Sequence, residues 1–234
     1  MRIGILQCGS TAADLRSTFG DYPRMFQRLL SRASPDLEFQ SYELTAGCFP
    51  DSLAECDGWL FTGSKWSVYD DTRWIGRANA LAARLHAAGR PTIGICFGHQ
   101  LIAGALGGRV EKAPQGWGVG VHTIRIRTHP NWMKPALDRL SLLVSHQDQV
   151  IMPPPGAQWL AGSAFCRYAM LQVADHMLTL QGHPEFSKDY ARTLMNRRRA
   201  AIGPQAHEAG LASLALDVDD AIAAQWIIGF LQGV

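Results

Sequence analysis

The chain has no long apolar run. No segment approaches the 18 apolar residues that would suggest a membrane-spanning helix. The N-terminal MRIGILQCGS offers one early arginine and a four-residue apolar run before Gln7, too short for a signal-peptide core. Neither sign of charge dominates: 22 basic against 20 acidic residues leave a net charge of +2, so no whole-molecule field gathers nucleic acid or an acidic membrane. Cysteine is scarce. The five thiols, at positions 8, 48, 56, 96 and 166, are odd in number and contain no CxxC pair, which fits neither a disulfide framework nor a zinc cluster. No histidine pair has zinc-site spacing, and no P-loop or GxGxxG is present. There is no repeat, low-complexity tract or linker, and Pro153-Pro154-Pro155-Gly156 reads as a surface turn. These absences point to a cytoplasmic protein with reduced thiols, no cofactor or metal, and a small-molecule partner rather than nucleic acid or membrane.

What is present is a chain of 234 residues, 47% hydrophobic, enough to bury one core and read as a single domain over 1–234. Short apolar runs alternate with amphipathic stretches, the pattern of an α/β fold with a mostly parallel central sheet between helical layers. RIGILQC, LEFQSYEL, DGWLFTG and PTIGIC read as the first four strands. DYPRMFQRLLSRA is a helix with Pro23 in its first turn, and TRWIGRANALAARLHAAG is a helix stopped by Gly89. HQLIAGALGG is helical up to its paired glycines. VGVHTIRIRT, SLLVSHQDQV, a hairpin within QWLAGSAFCRYAMLQV, and MLTLQG supply further strands. The tail from residue 187 to 234 is mostly helical, with breaks expected at Gly203-Pro204 and near Gly210.

Gly94-Ile95-Cys96-Phe97-Gly98 lies where a buried strand meets a helix, the Gly-x-nucleophile-x-Gly arrangement of a nucleophile elbow. Glycines without Cβ let strand and helix approach while the central residue takes a strained conformation. The helix N-terminus favours negative charge on the sulfur. A packed structural thiol is the alternative for the pentapeptide alone. A thiol nucleophile needs a base, and the base needs an orienting group. Of the eight histidines, His183 in LTLQGHPEF has the best setting: Glu185 follows with only Pro184 between, and in extended chain residues i and i+2 project the same way. The rival base is His146, which has no carboxylate so placed.

GICFGHQ, the QGHPEF segment whose histidine lies 87 residues beyond the cysteine (183 − 96), and the earlier FTGSKWSVYDD resemble the three signatures of class I glutamine amidotransferases, most closely the stand-alone members similar to the glutaminase half of GMP synthase. The resemblance runs from about Met1 to Phe186. It implies a flavodoxin-like three-layer sandwich and hydrolysis of the glutamine side-chain amide through a thioester. It assigns Cys96 as nucleophile, His183 as base and Glu185 as orienter. Gly63, Ser64 and Phe97 would supply the N–H groups of an oxyanion hole. Where the GMP synthase half carries proline after that turn, this chain has Lys65. Gln100, one helical turn beyond Cys96, and Ser145, His146 and Gln147 of SHQD would contact the substrate.

The sequence holds no synthase domain or nucleotide motif, so a separate synthase subunit would be needed for ammonia transfer. A free-standing γ-glutamyl amide or peptide hydrolase, and a non-catalytic sensor of γ-glutamyl metabolites, are the alternatives. Cys8 reads as a packed thiol, and the RTLMNRRR run, with Arg192, Arg197, Arg198 and Arg199, as a solvated helix face.

Overall fold

A computed structural model describes residues 1–233; Val234, the last residue of the expected tail, lies outside the described residues. The centre is a 9-stranded mixed sheet. Its strands are β1 (Arg2–Gln7), β2 (Glu38–Glu43), β3 (Gly58–Phe61), β4 (Thr92–Ile95), β6 (Gly118–Ile126), β7 (Arg139–His146), β9 (Gln158–Gly162), β10 (Met170–Val173) and β11 (Met177–Leu180). They lie in the order β2-β1-β3-β4-β11-β10-β9-β6-β7. The half from β2 to β11 is parallel, and from β10 onward neighbours alternate in direction. β3, β4 and β11 are buried along their whole length, as strands covered by helices on both faces must be. A separate pair, β5 (Arg109–Lys112) and β8 (Asp148–Met152), forms a two-stranded sheet.

The helices are α1 (Arg16–Phe19), α2 (Tyr22–Ala33), α3 (Arg73–Ala87), α4 (Phe97–Ala105), α5 (Lys188–Arg197), α6 (Arg199–Ile202), α7 (Pro204–Ser213) and α8 (Asp220–Gln232). α2 starts at Asp21, whose carboxylate accepts from the N–H groups of Tyr22 and Thr11 at 2.9 and 2.8 Å; such a cap is worth about 1 kcal/mol. Its apolar face, with Phe26, Leu29 and Leu30, enters one core layer beside Trp226 and Ile227 of α8. α3 and α4 close the opposite layer with Leu81, Leu85, Leu101 and Ile102. Gly89 takes φ +59° just past α3, the left-handed stop expected there.

Three expectations are corrected. SLLVSHQDQV is not one strand: β7 ends at His146, Gln147 is the junction, and β8 turns away to pair with β5, so that Lys112 faces Asp148. Its alternation belongs to two sheets. The tail does not break near Gly210, which lies inside α7; a Cβ there would meet Val119 Cγ2 at 2.7 Å, so this glycine permits close approach of the helix to β6. The break comes instead between Ser213 and Asp220. Arg198 is not on a solvated face: it sits at the junction of α5 and α6 and turns inward.

Candidate active site

Strands β3, β4 and β11 are neighbours running the same way, so the segments leaving their carboxyl ends meet above one stretch of sheet. Cys96 leaves β4 with φ 53° and ψ −100° and forms the N-cap of α4. A non-glycine residue in this region is strained, by about 1–3 kcal/mol. It is held by packing: a Cβ on Gly94 would lie 2.6 Å from the Gly98 carbonyl oxygen, and one on Gly98 would lie 2.5 Å from that of Phe61. The Cys96 N–H donates to Leu180 of β11 at 2.8 Å, tying the turn to the next strand.

His183 follows β11, its N–H donating to Leu143 of β7 at 2.7 Å. Its Nδ1 lies 2.7 Å from Glu185 Oε1, and both side chains are almost wholly buried. Burial opposes an imidazolium here, but the Glu185 carboxylate and then the Cys96 sulfur outweigh it and push His183 up to about 10. With Nδ1 engaged, Nε2 is the nitrogen left for the sulfur. Phe186 stacks on the imidazole at 3.9 Å and 8°, adding a face that favours the cation. The sequence placed this phenylalanine in QGHPEF without giving it a role.

The turn after β3 lies under the imidazole: a Cβ on Gly63 would come within 2.8 Å of His183 Cε1. Thr62 Oγ1 accepts from the Cys8 N–H and donates to the Gly63 carbonyl, each at 3.0 Å. That fixes the Gly63-Ser64 peptide plane, and in a trans peptide the Ser64 N–H points opposite to the carbonyl so held. The Phe97 N–H heads α4 and has no intrahelical acceptor. Cys8, as expected, is packed, with its thiol pushed up by burial.

In front of Cys96 opens a pocket of ≈ 410 Å³ that includes Ser64, Gln100, Ser145, His146 and Gln147. Gln100 reaches it from α4, but its Nε2 is engaged by the Asp148 carbonyl at 2.8 Å and Gln181 Oε1 at 3.0 Å. His146 Nδ1 is 3.1 Å from the Asp148 carbonyl. Burial lowers this histidine to about 3, so it stays neutral and stores no proton. Arg198 Nη1 donates to Ser145 Oγ at 3.1 Å. Ser67 and Tyr69, on the loop after the Gly63 turn, donate to the Asp148 carboxylate at 2.5 and 3.0 Å. Neither Arg198 nor this latch was found by sequence reasoning. A larger cleft, ≈ 620 Å³, lies among the arginines of α1 and α2 and includes none of these groups.

The model of the glutamine amidotransferase class-I family matches residues 38–200, a span that contains the Gly63 turn, Cys96 and His183. The chain belongs to the class I glutamine amidotransferase family. Among its relatives, gamma-glutamyl peptidase 4 of Arabidopsis thaliana is 31% identical over 189 residues, covering 78% of the chain and 74% of the relative. A glutamine-hydrolyzing GMP synthase subunit of Saccharolobus solfataricus is 34% identical over 138 residues, 58% of the chain and 70% of the relative. The crystal structure of a glutamine amidotransferase from Thermotoga maritima superposes with a TM-score of 0.76 at 16% identity, covering 99% of this chain and 96% of that one, and shares its fold. Among the described residues no helix is long and apolar enough to cross a membrane, and no cluster of metal-binding side chains is present.

Proposed function

We propose that the protein hydrolyses γ-glutamyl amide bonds through a thioester on Cys96. The observation that carries this reading is the buried His183–Glu185 pair, 2.7 Å apart, brought with the strained Cys96 to the carboxyl ends of adjacent strands. The Cys96 sulfur attacks the γ-carbonyl carbon, and the C=O electron pair moves onto oxygen. The N–H groups of Ser64 and Phe97, with Gly63 leaving room beneath the imidazole, donate to that oxyanion; one such donor is typically worth about 10²–10³ in rate. Collapse of the intermediate breaks the C–N bond as His183 gives its proton to the departing amine. Water, deprotonated by His183, then attacks the thioester and releases glutamate and the thiol. Glu185 holds the imidazole in the tautomer and orientation that both halves need. In this proposal the chain works as one domain and needs no cofactor.

A second reading, a glutaminase that hands ammonia to a separate synthase subunit, is favoured by the 34% identity to the GMP synthase relative. The same acylation chemistry serves both. A diazo-ketone analogue of glutamine tests the shared step: intact mass should rise by one adduct on Cys96 and by none in Cys96→Ala. Labelling elsewhere, or none, would favour a non-catalytic sensor. Hydrolysis of γ-glutamyl peptides by the chain alone separates the two enzyme readings.

A further inference from the structure

The pocket in front of Cys96 carries more positive charge than a γ-glutamyl group can neutralise. Its ionisable lining, beside His146 and the Cys96 thiol, is Lys65, Lys112, Arg198 and Asp148. Lys65 and Lys112 are exposed on the rim and Arg198 is half-buried. None of the three cations is within ion-pair distance of a carboxylate among the described residues. Asp148 faces Lys112 across the β5–β8 ladder, yet its carboxylate is taken by Ser67 and Tyr69. Three positive charges and one negative leave a surplus of two, which the attacking sulfur counted as thiolate, the His183 imidazolium and the Glu185 carboxylate together reduce to one. A γ-glutamyl head group brings one α-carboxylate and one α-ammonium, so it adds no net charge, and glutamine would leave the surplus standing.

Resting on the γ-glutamyl hydrolase reading above, we infer that the physiological substrate carries an anionic group on the amine side of the scissile bond, as in a γ-glutamyl amino acid or peptide with a free carboxylate, and that Lys65 and Lys112 select it. Lys65 follows the Gly63-Ser64 turn directly, and Lys112 lines the same pocket from β5. Arg198, anchored on Ser145, meets the α-carboxylate of the head group. The same field draws an anionic substrate to the mouth and leaves neutral amides without that help.

The test compares γ-glutamylglycine with γ-glutamylglycinamide, which differ only in the terminal charge, and both with glutamine. An ion pair to an exposed lysine is worth up to about fivefold. Together the two lysines should favour γ-glutamylglycine over the glycinamide by about tenfold in kcat/KM at low salt. Added salt should shrink this ratio, and the double variant Lys65→Gln/Lys112→Gln should bring it close to one. A wild-type ratio of one or below, a ratio untouched by the double variant, or glutamine turned over as fast as γ-glutamylglycine would overturn the inference while leaving the hydrolase reading in place. Failure to cleave any of the three would overturn the hydrolase reading instead. Calorimetric binding of the two glycine compounds to Cys96→Ala then decides the charge preference independently: tighter binding of the acid supports it, and equal binding ends it.

Discussion

Gly98→Ala should damage the site through the backbone without touching a reacting atom. The added Cβ would stand 2.5 Å from the Phe61 carbonyl oxygen, 2.7 Å from Phe61 Cβ and 3.0 Å from Phe61 C. Most of these neighbours are main-chain atoms of a strand buried along its whole length, so no side-chain rotation relieves the clash. To restore ordinary contact, α4 must retreat from β3 by nearly an ångström. Overpacking of this kind costs about 1–3 kcal/mol. The retreat also carries the Phe97 N–H away from the turn that bears Ser64, and a displacement of that size can lower a rate about 10²-fold. The assay pairs urea unfolding with the pre-steady-state rate of thioester formation on a γ-glutamyl substrate. The control is Gly104→Ala in the same helix, where a Cβ meets nothing within 4 Å; it should stabilise by roughly 0.5–1 kcal/mol and leave acylation at the wild-type rate. If Gly98→Ala unfolds at the wild-type midpoint and acylates at the wild-type rate, the close approach of strand and helix does not set the site.

Glu185→Gln removes the largest influence that raises His183; the rate at pH 7 should fall about 10²-fold or more, and the alkaline limb of kcat/KM, expected near pH 10 in the wild type, should move to lower pH. The sign in stability follows: because the native imidazole holds its proton more tightly than the unfolded one, its contribution is full below about pH 6.5 and is lost as pH rises toward 10, so Glu185→Gln should abolish that part of the pH dependence in urea midpoints. His99 and His146 act in the opposite direction, since burial lowers each to about 3. Native protein refuses protons that the unfolded chain takes up, so each should remove about 1.4 kcal/mol of stability per pH unit below 6.5; a flat urea midpoint between pH 6.5 and 5 would refute this. Arg198→Gln should raise KM about tenfold, the worth of one charged hydrogen bond of about 1.5 kcal/mol, with kcat little changed; a fall in kcat at constant KM would place Arg198 elsewhere in the reaction.

The residues that were legible in sequence are those whose environment is local. Gly94, Cys96 and Gly98 announce the elbow because strand, strained residue and helix are consecutive, and His183 with Glu185 is an i, i+2 pair on extended chain. The parallel half of the sheet was legible for the same reason, since β3 and β4 are uninterrupted apolar runs. Arg198 was hidden because its partner, Ser145, is 53 residues away, and nothing in RTLMNRRR distinguishes the arginine at a helix junction from those beside it. Gly210 looked like a stop because sequence shows that a side chain is missing, not that Val119 needs the room. The division of SLLVSHQDQV at Gln147 was hidden because the partner that draws β8 away, β5, is a short polar segment with three exposed residues.

The hand-over of the chain at Gln147 from the large sheet to the small one has an evolutionary consequence. The sulfur, the imidazole and the turn beneath it lie just past the ends of main-chain ladders that tolerate little drift. Lys112 and Asp148, by contrast, come from an appended ribbon that stands outside those ladders. One half of the cavity can therefore diversify toward new amines while the other stays constant, so that related chains would inherit the bond they break and differ in what they break it from.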